Sequence, residues 1–570
     1  MKRFLTFTKG NRLGAILGPL FKLCEATLEL IVPLVIADII DKGIKGANAK
    51  FIVGRCLILL ALGAIGFAFS VTAQYFCAQC AVGSVTKMRS SLFSHLQTLS
   101  YTEIDRLGTA TMITRLSADS NQVQTGLNLA LRLLLRSPFV VFGAMIMAFT
   151  IDKSSAITFG ITILVLSFIV FGIMLITMPI YKKTQRRLDG VVLKTRENLS
   201  GVRVIRAFCK EDTEISEFKE KNNALAKMQI IVGRISALMN PMTFAVINVA
   251  IIILIYMGAI DVSFGRLTSG DVVALYNYMS QILIELIKLA NLIITITKSL
   301  ASLSRINSVF DIESSMKDGN VTEGAGGDVM LAFKNASLKY KGAGDESLKA
   351  LDFSIKKGQT LGIIGGTGSG KTSLVNLIPR FYDATEGDVY FDGVNVKDYS
   401  IPYLRSRIGI VPQKSVLFAG TVRENMKIGN PDATDDEIFA ALRIAQAEDF
   451  VVEKGGLDAM IEQGGRNLSG GQRQRLAIAR AVVKAPEVLI LDDSASALDF
   501  ATDAALRASL KSLTGTSVII VSQRASSLMH ADKIVVLDDG KPNGIGTHDE
   551  LIKSSVVYRE IYTSQFGEVV

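Results

Sequence analysis

The stretch LGIIGGTGSGKTSL, Leu361 to Leu374, joins an apolar run to a glycine-rich turn that ends in Lys371 and Thr372. The apolar run predicts a buried strand, and the residues after the turn predict a helix. Glycines let backbone N–H groups crowd around phosphate oxygens, and a helix N-terminus adds positive partial charge. We therefore expect the phosphates of a nucleotide to be bound by Gly365, Gly366, Thr367, Gly368, Ser369, Gly370, Lys371, Thr372 and Ser373.

A second stretch, PEVLILDD, places two acidic residues at the end of another apolar run. A buried strand that ends on a carboxylate delivers that group to the metal beside a phosphate loop, so Asp492 is expected to bind Mg²⁺ together with the Thr372 hydroxyl. Asp493 follows it directly. Upstream, the ring of Tyr340 could stack on a nucleotide base. Strand and helix patterns alternate across this part of the chain, which predicts an α/β domain over 325–570.

The first half of the chain has a different residue pattern, dominated by long apolar runs. A bilayer span needs about 20 mainly apolar residues. Six such runs predict an α-helical six-span transmembrane domain over 1–310, with spans near 15–40, 53–82, 127–150, 155–180, 236–261 and 271–299. The polar, glycine-bearing residues 305–328 then read as a linker.

Basic residues indicate the orientation of these spans. Lys and Arg cluster at the N-terminus, between spans two and three, and after span four. By the positive-inside rule, both chain ends and the α/β domain lie in the cytoplasm, and the protein is a multi-pass protein of the inner (cytoplasmic) membrane. The formal net charge of +9 is thus explained by membrane edges, and no nucleic-acid partner is expected.

Three carboxylates fall inside predicted spans, namely Glu25, Glu29 and Glu285. Ionisable groups inside a membrane need a reason. One interpretation is a polar-lined substrate cavity, and the other is pairing with nearby basic side chains. A zinc site is not expected, because Cys77-x-x-Cys80 has no second pair or suitably spaced histidine among the five cysteines and three histidines of the chain.

A third motif, NLSGGQRQRLAIARA at Asn467 to Ala481, gives the resemblance. With the phosphate loop, Gln413 in IVPQKSVLFAG, and SALD at 496–499, it resembles the nucleotide-binding domain of an ATP-binding-cassette (ABC) transporter. The segment GVRVIRAFCKED, Gly201 to Asp212, looks like an intracellular loop of exporter-type members. One set of spans fused to one cassette is a half-transporter, so a second half-transporter is the expected partner.

The resemblance implies the roles of further residues. In this family two cassettes pair head to tail, and each ATP touches the phosphate loop of one chain and the LSGGQ of the other. The implied ATP contacts outside the phosphate loop are Tyr340, Gln413, Ser469, Gly470, Gly471, Gln472 and Asp499, and Gln413 joins Thr372 and Asp492 as a Mg²⁺ group.

Two positions depart from the family pattern, and both concern catalysis. The residue after the magnesium aspartate is usually Glu but is Asp493 here, and the switch residue, usually His, is Gln523. Aspartate is a shorter base, and glutamine cannot carry a proton as histidine can. The LSGGQ motif is intact. We therefore expect a slow ATP site on this chain and an intact contribution to the partner's site, as in the degenerate-site subunit of bacterial heterodimeric multidrug exporters.

The expected function is ATP-driven export, with ATP and Mg²⁺ as cofactors. Two alternatives stay open at this point: a homodimeric ABC lipid or drug exporter, and an ATP-gated channel or regulatory receptor of the same architecture. The expected partners are a second half-transporter, membrane lipid and a hydrophobic small-molecule substrate. Lipid, peptide and drug are not distinguished by the sequence.

Overall fold

The computed structural model describes residues 2–494 and 497–567. Ser496 of the SALD motif therefore lies outside the described residues. The chain forms two compact units. The first unit runs to Gln97 and resumes over Thr109–Ile312, and the second comprises Thr98–Gly108 and the chain from Glu313 onward. Residues 98–108, which the predicted bounds of 1–310 assign to the transmembrane domain as part of the segment between spans two and three, are thus part of the second unit.

The first unit is helical along its described length. Its helices are Lys2–Thr8, Arg12–Asp38, Ala49–Thr98, Thr109–Thr114, Ser120–Leu133, Arg136–Ile151, Lys153–Ser200, Val202–Ala207, Glu211–Ala237, Met239–Ser263 and Ser269–Phe310. Single π-helical turns over Ile39–Ile44 and Arg115–Asp119 interrupt the pattern. The helix from Ser269 begins at a capping box, in which Thr268 Oγ1 accepts from the Asp271 amide at 3.1 Å and Asp271 Oδ2 accepts from the Thr268 amide at 2.9 Å. Such a reciprocal pair fixes a helix start.

Five helical segments are long and apolar enough to cross a membrane. They are Ala49–Thr98, Thr109–Ile151, Lys153–Ser200, Glu211–Ser263 and Ser269–Phe310. The run predicted as the first span is also helical, over Arg12–Asp38, but it carries Lys22, Glu25 and Glu29. The expected count of six spans therefore stays a prediction, while a helical domain with membrane-spanning character is established.

Small and aromatic side chains form the core of the first unit. Ala26 and Leu30 pack with Val140, Phe159 and Tyr278 in one buried cluster. The Tyr278 hydroxyl donates to the Leu30 backbone oxygen at 2.6 Å, which satisfies a phenol buried among apolar groups. These contacts join the helices Arg12–Asp38, Arg136–Ile151, Lys153–Ser200 and Ser269–Phe310.

The second unit is an α/β domain with twelve strands in the described part of the chain. They are β1 Val329–Leu338, β2 Leu348–Lys356, β3 Thr360–Gly365, β4 Glu386–Phe391, β5 Val394–Asn395, β6 Ile408–Val411, β7 Gly420–Thr421, β8 Met460–Ile461, β9 Val488–Asp492, β10 Ser517–Val521, β11 Lys533–Asp538 and β12 Lys541–Gly546. The sheets have the orders β2-β1-β4-β5, β12-β11-β3-β10-β9-β6 and β7-β8.

Helices cover the sheets of the second unit. They are Tyr101–Leu107, Lys371–Leu377, Ile401–Ser406, Val422–Lys427, Asp435–Ile444, Glu448–Glu453, Gly470–Val482, Phe500–Leu510, His548–Ser554 and Val556–Phe566. The central strands are parallel, β11 with β3, β3 with β10, β10 with β9, and β9 with β6. Strand β9 is buried at every position, as expected for a strand covered on both faces.

Candidate ATP site

The carboxyl ends of four neighbouring parallel strands meet at one edge of the large sheet. In the pairing register, Ile363 of β3 and Asp492 of β9 both lie opposite Val521 of β10, and Val411 of β6 lies opposite Leu491. Parallel strands end at the same edge, and ligands bind outside that edge in open α/β sheets. The loops after these strands carry the phosphate loop, Asp493, Gln523 and Gln413, so residues far apart in sequence gather there.

The phosphate loop depends on backbone conformations that favour glycine. Gly368 and Gly370 have φ of +82° and +97°, in the left-handed region. A Cβ at Gly370 would also lie 2.6 Å from the Ser347 backbone oxygen, so no larger residue fits without movement. Lys371 folds back on the loop, where its Nζ donates to the backbone oxygens of Gly365 at 2.9 Å and Gly366 at 2.6 Å. The cation is thus held at the rim of the loop.

Burial sets the electrostatics of the two central charged groups. Lys371 and Asp492 are both nearly inaccessible, at 9% and 4% exposure. Burial lowers the pKa of Lys371, against the opposing effect of the nearby carboxylates of Asp493 and Asp492. Burial likewise raises the pKa of Asp492; Asp493 adds to that rise, while the Thr372 hydrogen bond and Lys371 oppose it. The lysine therefore stabilises both carboxylates, and a cation placed between them would relieve their repulsion.

Asp493 has a fixed backbone. Its φ is +49°, a conformation that short polar residues tolerate, and its amide donates to the Val521 backbone oxygen at 3.1 Å. Its carbonyl accepts from Gln474 Nε2 at 3.2 Å, and its Oδ2 accepts from Gln413 Nε2 at 3.3 Å. Hydrogen bonds thus hold the backbone of Asp493 at both its N–H and its C=O group.

A cavity of about 400 Å³ opens at this edge of the sheet. The expected site residues that line it are Thr367, Gly368, Gly370, Lys371, Thr372, Ser373, Gln413, Asp492, Asp493 and Gln523. Gly365, Gly366 and Ser369 form the base of the loop, where Ser369 Oγ lies 3.4 Å from Lys371 Nζ. The proposed base Asp493 and the switch residue Gln523 thus share one cavity with the phosphate loop.

Tyr340 contacts the phosphate-loop helix from a neighbouring cavity. Its hydroxyl donates to Ser373 Oγ at 3.0 Å, and its ring meets the Tyr382 ring edge-on with centroids 5.0 Å apart. The Tyr382 hydroxyl donates in turn to Asp105 Oδ2 at 2.5 Å. Burial, reinforced by the Asp105 carboxylate, raises the pKa of Tyr382, so this hydroxyl stays protonated. The base-binding role of Tyr340 remains a proposal.

The residues of the LSGGQ motif, Leu468 to Gln472, are called the signature motif here, and in the described chain they lie outside the lining of the phosphate cavity. Ser469 caps the helix Gly470–Val482, with Ser469 Oγ accepting from the Gln472 amide at 3.3 Å and Gln472 Oε1 accepting from the Ser469 amide at 3.1 Å. Among the residues that the structure describes, the lining of the phosphate cavity includes none of 469–472. Ser469 and Gly470 are exposed, whereas Gly471 and Gln472 are half-buried, so the start of the motif is accessible at the surface of this chain.

Asp499 caps the helix Phe500–Leu510. Its Oδ1 accepts from the Thr502 amide at 2.8 Å and its Oδ2 from the Thr502 hydroxyl at 2.9 Å. The backbone and side-chain hydrogen bonds from Thr502 lower the pKa of Asp499, which keeps it ionised. An N-cap aspartate of this kind fixes the start of its helix, and the expected contact of Asp499 with ATP stays a prediction.

The membrane carboxylates are all in ion pairs. Glu285 accepts from Arg136 Nη1 at 2.6 Å, from Ser137 Oγ at 2.7 Å and from Lys288 Nζ at 2.8 Å. Arg136 Nη2 also donates to Glu29 at 2.6 Å. Glu25 is paired with Lys22 at 2.5 Å. The side chains of Glu25 and Glu285 are 18% and 3% exposed, whereas that of Glu29 is 42% exposed, so Glu29 presents the most accessible carboxylate of the three.

Sequence reasoning missed Gln474, which joins the signature helix to the catalytic loop. Its side chain is 4% exposed; Nε2 donates to the Asp493 backbone oxygen, and Oε1 accepts from the Ala497 amide at 3.2 Å. The one local signal was a polar residue on the buried face of an otherwise apolar-faced helix. Tyr382 and Gln565, which contact Tyr340 and the switch loop, were missed as well.

Comparison with protein families matches both halves of the chain. Residues 15–286 match the ABC transporter transmembrane region, and residues 348–496 match the ABC transporter family that covers the ATP-binding domain.

Relatives and a solved structure match along nearly the whole chain. An uncharacterised ABC transporter ATP-binding protein of Mycobacterium tuberculosis is 35% identical over 565 residues, covering 97% of this chain and 96% of its own length. A Bacillus subtilis protein, provisionally named a multidrug export ATP-binding/permease protein, is 31% identical and covers 99% of each chain. The structure of a bacterial Atm1-family ABC exporter with ATP bound superposes with a TM-score of 0.81 at 23% identity, over 99% of each chain.

Proposed function

We propose that this chain, which belongs to the ABC transporter family, is one half of an ATP-driven exporter. The chain holds one transmembrane domain and one nucleotide-binding domain. A working transporter then needs a second half-transporter. The name of the Bacillus subtilis relative and the fold shared with an Atm1-family exporter both support export as the direction of transport. The basic residues near the helix ends support an inner-membrane protein with its ATP site in the cytoplasm.

The residues of the cavity fit Mg²⁺ and ATP. Thr372, Gln413 and Asp492 offer a hydroxyl, an amide and a carboxylate, the hard oxygen groups that Mg²⁺ prefers. In the described chain there is no cluster of three or more His, Cys, Asp or Glu side chains that could hold a metal, so the protein supplies few ligands, as is usual for a metal that arrives with a nucleotide. When bound, Mg²⁺ neutralises phosphate charge and orients the leaving phosphate.

The chain's own residues then divide the work. Lys371, held by the loop carbonyls, places a cation beside the glycine-rich backbone, where phosphate oxygens would be received. Asp493 is the base that would take a proton from water, and Gln413 donates a hydrogen bond to it. Gln523 can donate its amide N–H, but it cannot carry the proton that a histidine would.

The observation that carries the proposal of a slow site is the pairing of Asp493 and Gln523 in one cavity. Asp493 is one methylene shorter than glutamate, about 1.5 Å, and a misplacement of about 1 Å can cost about a hundredfold in rate. Its backbone is fixed, so the loop does not make up the length. We propose that ATP at this site is bound and hydrolysed slowly, and that the motif Ser469–Gln472, which begins at the exposed Ser469 and Gly470, completes a faster site on the partner.

An exposed apolar tip supports dimerisation. Leu199, Val204 and Phe208 are 73%, 61% and 71% exposed at the turn between the helices Lys153–Ser200 and Glu211–Ala237. Apolar side chains clustered at the end of a long helical pair mark an interaction site. We propose that this tip, residues 199–208, docks on the other half-transporter. A heterodimer is favoured because two catalytic positions are altered while the signature motif is intact.

The substrate we propose is a hydrophobic small molecule. A cavity of about 460 Å³ between Lys153–Ser200 and Met239–Ser263 is lined mostly by Ile, Val and Ala. Glu25, Glu29 and Glu285 remain candidate lining residues of a substrate path, and Glu29 is the best placed because it is the most exposed. Glu285 serves first to neutralise the buried Arg136.

Two substitutions in this chain test the asymmetry. Gly470→Glu puts a negative side chain on the exposed signature motif, and its Cβ meets no heavy atom closer than 3.7 Å, so the fold accommodates it. In the purified complex, Gly470→Glu should remove most ATP turnover, because the partner's site loses its contact with the LSGGQ motif of this chain. Asp493→Ala should leave most of the turnover. Gly470→Ala is the size control. The opposite ranking refutes the assignment, and brisk turnover by this chain purified alone favours a homodimer.

A further inference from the structure

The side chain of Gln565 bridges two backbone groups of the loop that follows β10 and carries Gln523, which is called the switch loop here. Its Nε2 donates to the Gln523 backbone oxygen at 2.8 Å, and its Oε1 accepts from the Ala525 amide at 2.9 Å. One amide side chain thus satisfies a backbone acceptor and a backbone donor two residues apart. Because β10 ends at Val521, the loop that carries Gln523 lies outside the sheet. The two bonds to Gln565 therefore take the place of the hydrogen bonds that neighbouring strands would supply.

The helix that carries Gln565, Val556–Phe566, is anchored through Tyr558. Tyr558 is fully buried and its hydroxyl lies 2.8 Å from His548 Nδ1. Tyr558 packs in the same apolar cluster as Ala525 and Leu528, which follow the switch residue. The cluster also contains Ile364 of β3 and Val536 of β11, so Gln565 projects from a helix that is anchored on the large sheet as well as on the residues after Gln523.

The bridge lies at the ATP site. A cavity of about 680 Å³ has Asp493, Gln523, Gln565 and Phe566 among its lining residues. The same Asp493 and Gln523 also line the phosphate cavity. The C-terminal part of the nucleotide-binding domain is thus in direct contact with the loop whose glutamine would meet the γ-phosphate.

We propose that Gln565 is a positioning residue of the ATP site, which acts through the Gln523 backbone to hold the switch loop in the conformation that retains ATP. This inference rests on the proposed function, in which Gln523 contacts bound nucleotide. Without Gln565, the Gln523 carbonyl and the Ala525 amide form hydrogen bonds with water instead. The loop then exchanges among conformations in which Gln523 does not point into the site.

A double-mutant cycle tests this role. The readouts are the release half-time of bound ATP and the kcat and KM of ATP hydrolysis in the full-length purified transporter. Loss of two hydrogen bonds predicts that Gln565→Ala shortens ATP retention by about tenfold. Gln523→Ala should do the same, and the double variant should lie within about twofold of Gln523→Ala, since coupled residues are not additive. Equal retention in Gln565→Ala and wild type, or fully multiplicative effects, overturns the proposal.

A matched control and a second variant guard against a purely structural effect. Ser564→Ala removes a neighbouring hydroxyl that bonds only within its own helix, to Ile561 O at 2.8 Å, and should leave retention unchanged. Gln565→Glu keeps the shape, but the ionised carboxylate accepts from Ala525 and cannot donate to Gln523. Its defect should therefore shrink as pH falls from about 7.5 toward the ordinary glutamate pKa of about 4.3. A defect that does not change with pH refutes the positioning role.

The outcomes separate this inference from the proposed function. If the transporter proves symmetric, with Asp493→Ala abolishing turnover, the cycle is read from kcat and the same coupling between Gln565 and Gln523 is required. If asymmetry holds but the cycle is additive, the proposed function stands and the positioning role falls.

Discussion

Restoring the family residues at Asp493 and Gln523 should revive the slow site. The measurement is made in the Gly470→Glu background, where the partner's site is blocked and residual turnover reports the site on this chain. Asp493→Glu adds about 1.5 Å of reach, and recovering a misplaced base is worth up to about a hundredfold, or about 2.7 kcal/mol of activation free energy. Because the Asp493 amide and carbonyl are both bonded, the added methylene extends the carboxylate and does not relax into the loop.

The assay is phosphate release by the purified complex at saturating Mg²⁺ and ATP. Asp493→Glu with Gln523→His should raise residual turnover by about 10- to 100-fold. Asp493→Gln with Gln523→His is the matched control, since it has the length of glutamate without a base, and it should give no gain. A restored pair that stays within about twofold of its background, in a folded complex that binds ATP, refutes the reasoning that side-chain length and the missing histidine limit this site.

Three further predictions concern stability and contacts. Burial raises the pKa of Asp492, so the ionised carboxylate destabilises the fold at neutral pH. Asp492→Asn should therefore raise the midpoint temperature of unfolding at neutral pH, and this gain should shrink as pH falls. Mg²⁺-dependent ATP hydrolysis should be lost. Tyr382→Phe removes the bond to Asp105, worth about 1 kcal/mol at a half-exposed site, and amide exchange in Tyr101–Leu107 should speed up by about fivefold. Glu285→Ala leaves Arg136 buried with one fewer partner and should cost about 3–5 kcal/mol, measured as unfolding free energy in detergent.

Each of these has a control or a contrary outcome. Glu323→Gln, an exposed carboxylate, should leave the unfolding free energy unchanged. Unchanged exchange in Tyr382→Phe would mean that the ring packing of Tyr101 on Phe381, 4.5 Å between centroids, holds that helix without the hydrogen bond. An Asp492→Asn protein that unfolds at a lower temperature than wild type contradicts the electrostatic account of that carboxyl.

The sequence was sufficient where local pattern and chemistry coincide. The strand, glycine turn and lysine around Lys371 form the loop that they predict, and β9 ends on Asp492 as the apolar run indicates. The gathering of Gln413, Asp493 and Gln523 could be expected once they were placed after parallel strands, because those strands end at one edge. The family matches confirm the fused transmembrane and ATP-binding domains.

Helix lengths were out of reach because hydropathy marks only the part of a helix that lies in lipid. The run near 53–82 belongs to a helix that continues to Thr98, with polar residues that keep a helical pattern. The run near 127–150 is in fact broken between Leu133 and Arg136. Hydropathy averaged over a span does not mark this break, which lies at Leu134 and Leu135 between Arg132 and Arg136.

Contacts between distant residues were equally invisible. Gln474 meets Asp493 and Gln565 meets Gln523 over 19 and 42 residues, and glutamines on helix surfaces are ordinary. The grouping of residues 98–108 with the second unit depends on Tyr101 and Asp105 meeting Phe381 and Tyr382, which no local pattern encodes.

The apolar tip at residues 199–208 also bears on how a cell must make this protein. In the proposed orientation, a chain that has been synthesised but has not met its other half exposes Leu199, Val204 and Phe208 to the cytosol. Such a surface attracts chaperones, proteases and other copies of itself. In the proposed heterodimer, balanced synthesis of the two subunits is therefore a condition for the accumulation of either one, and an excess of this chain should be degraded rather than stored.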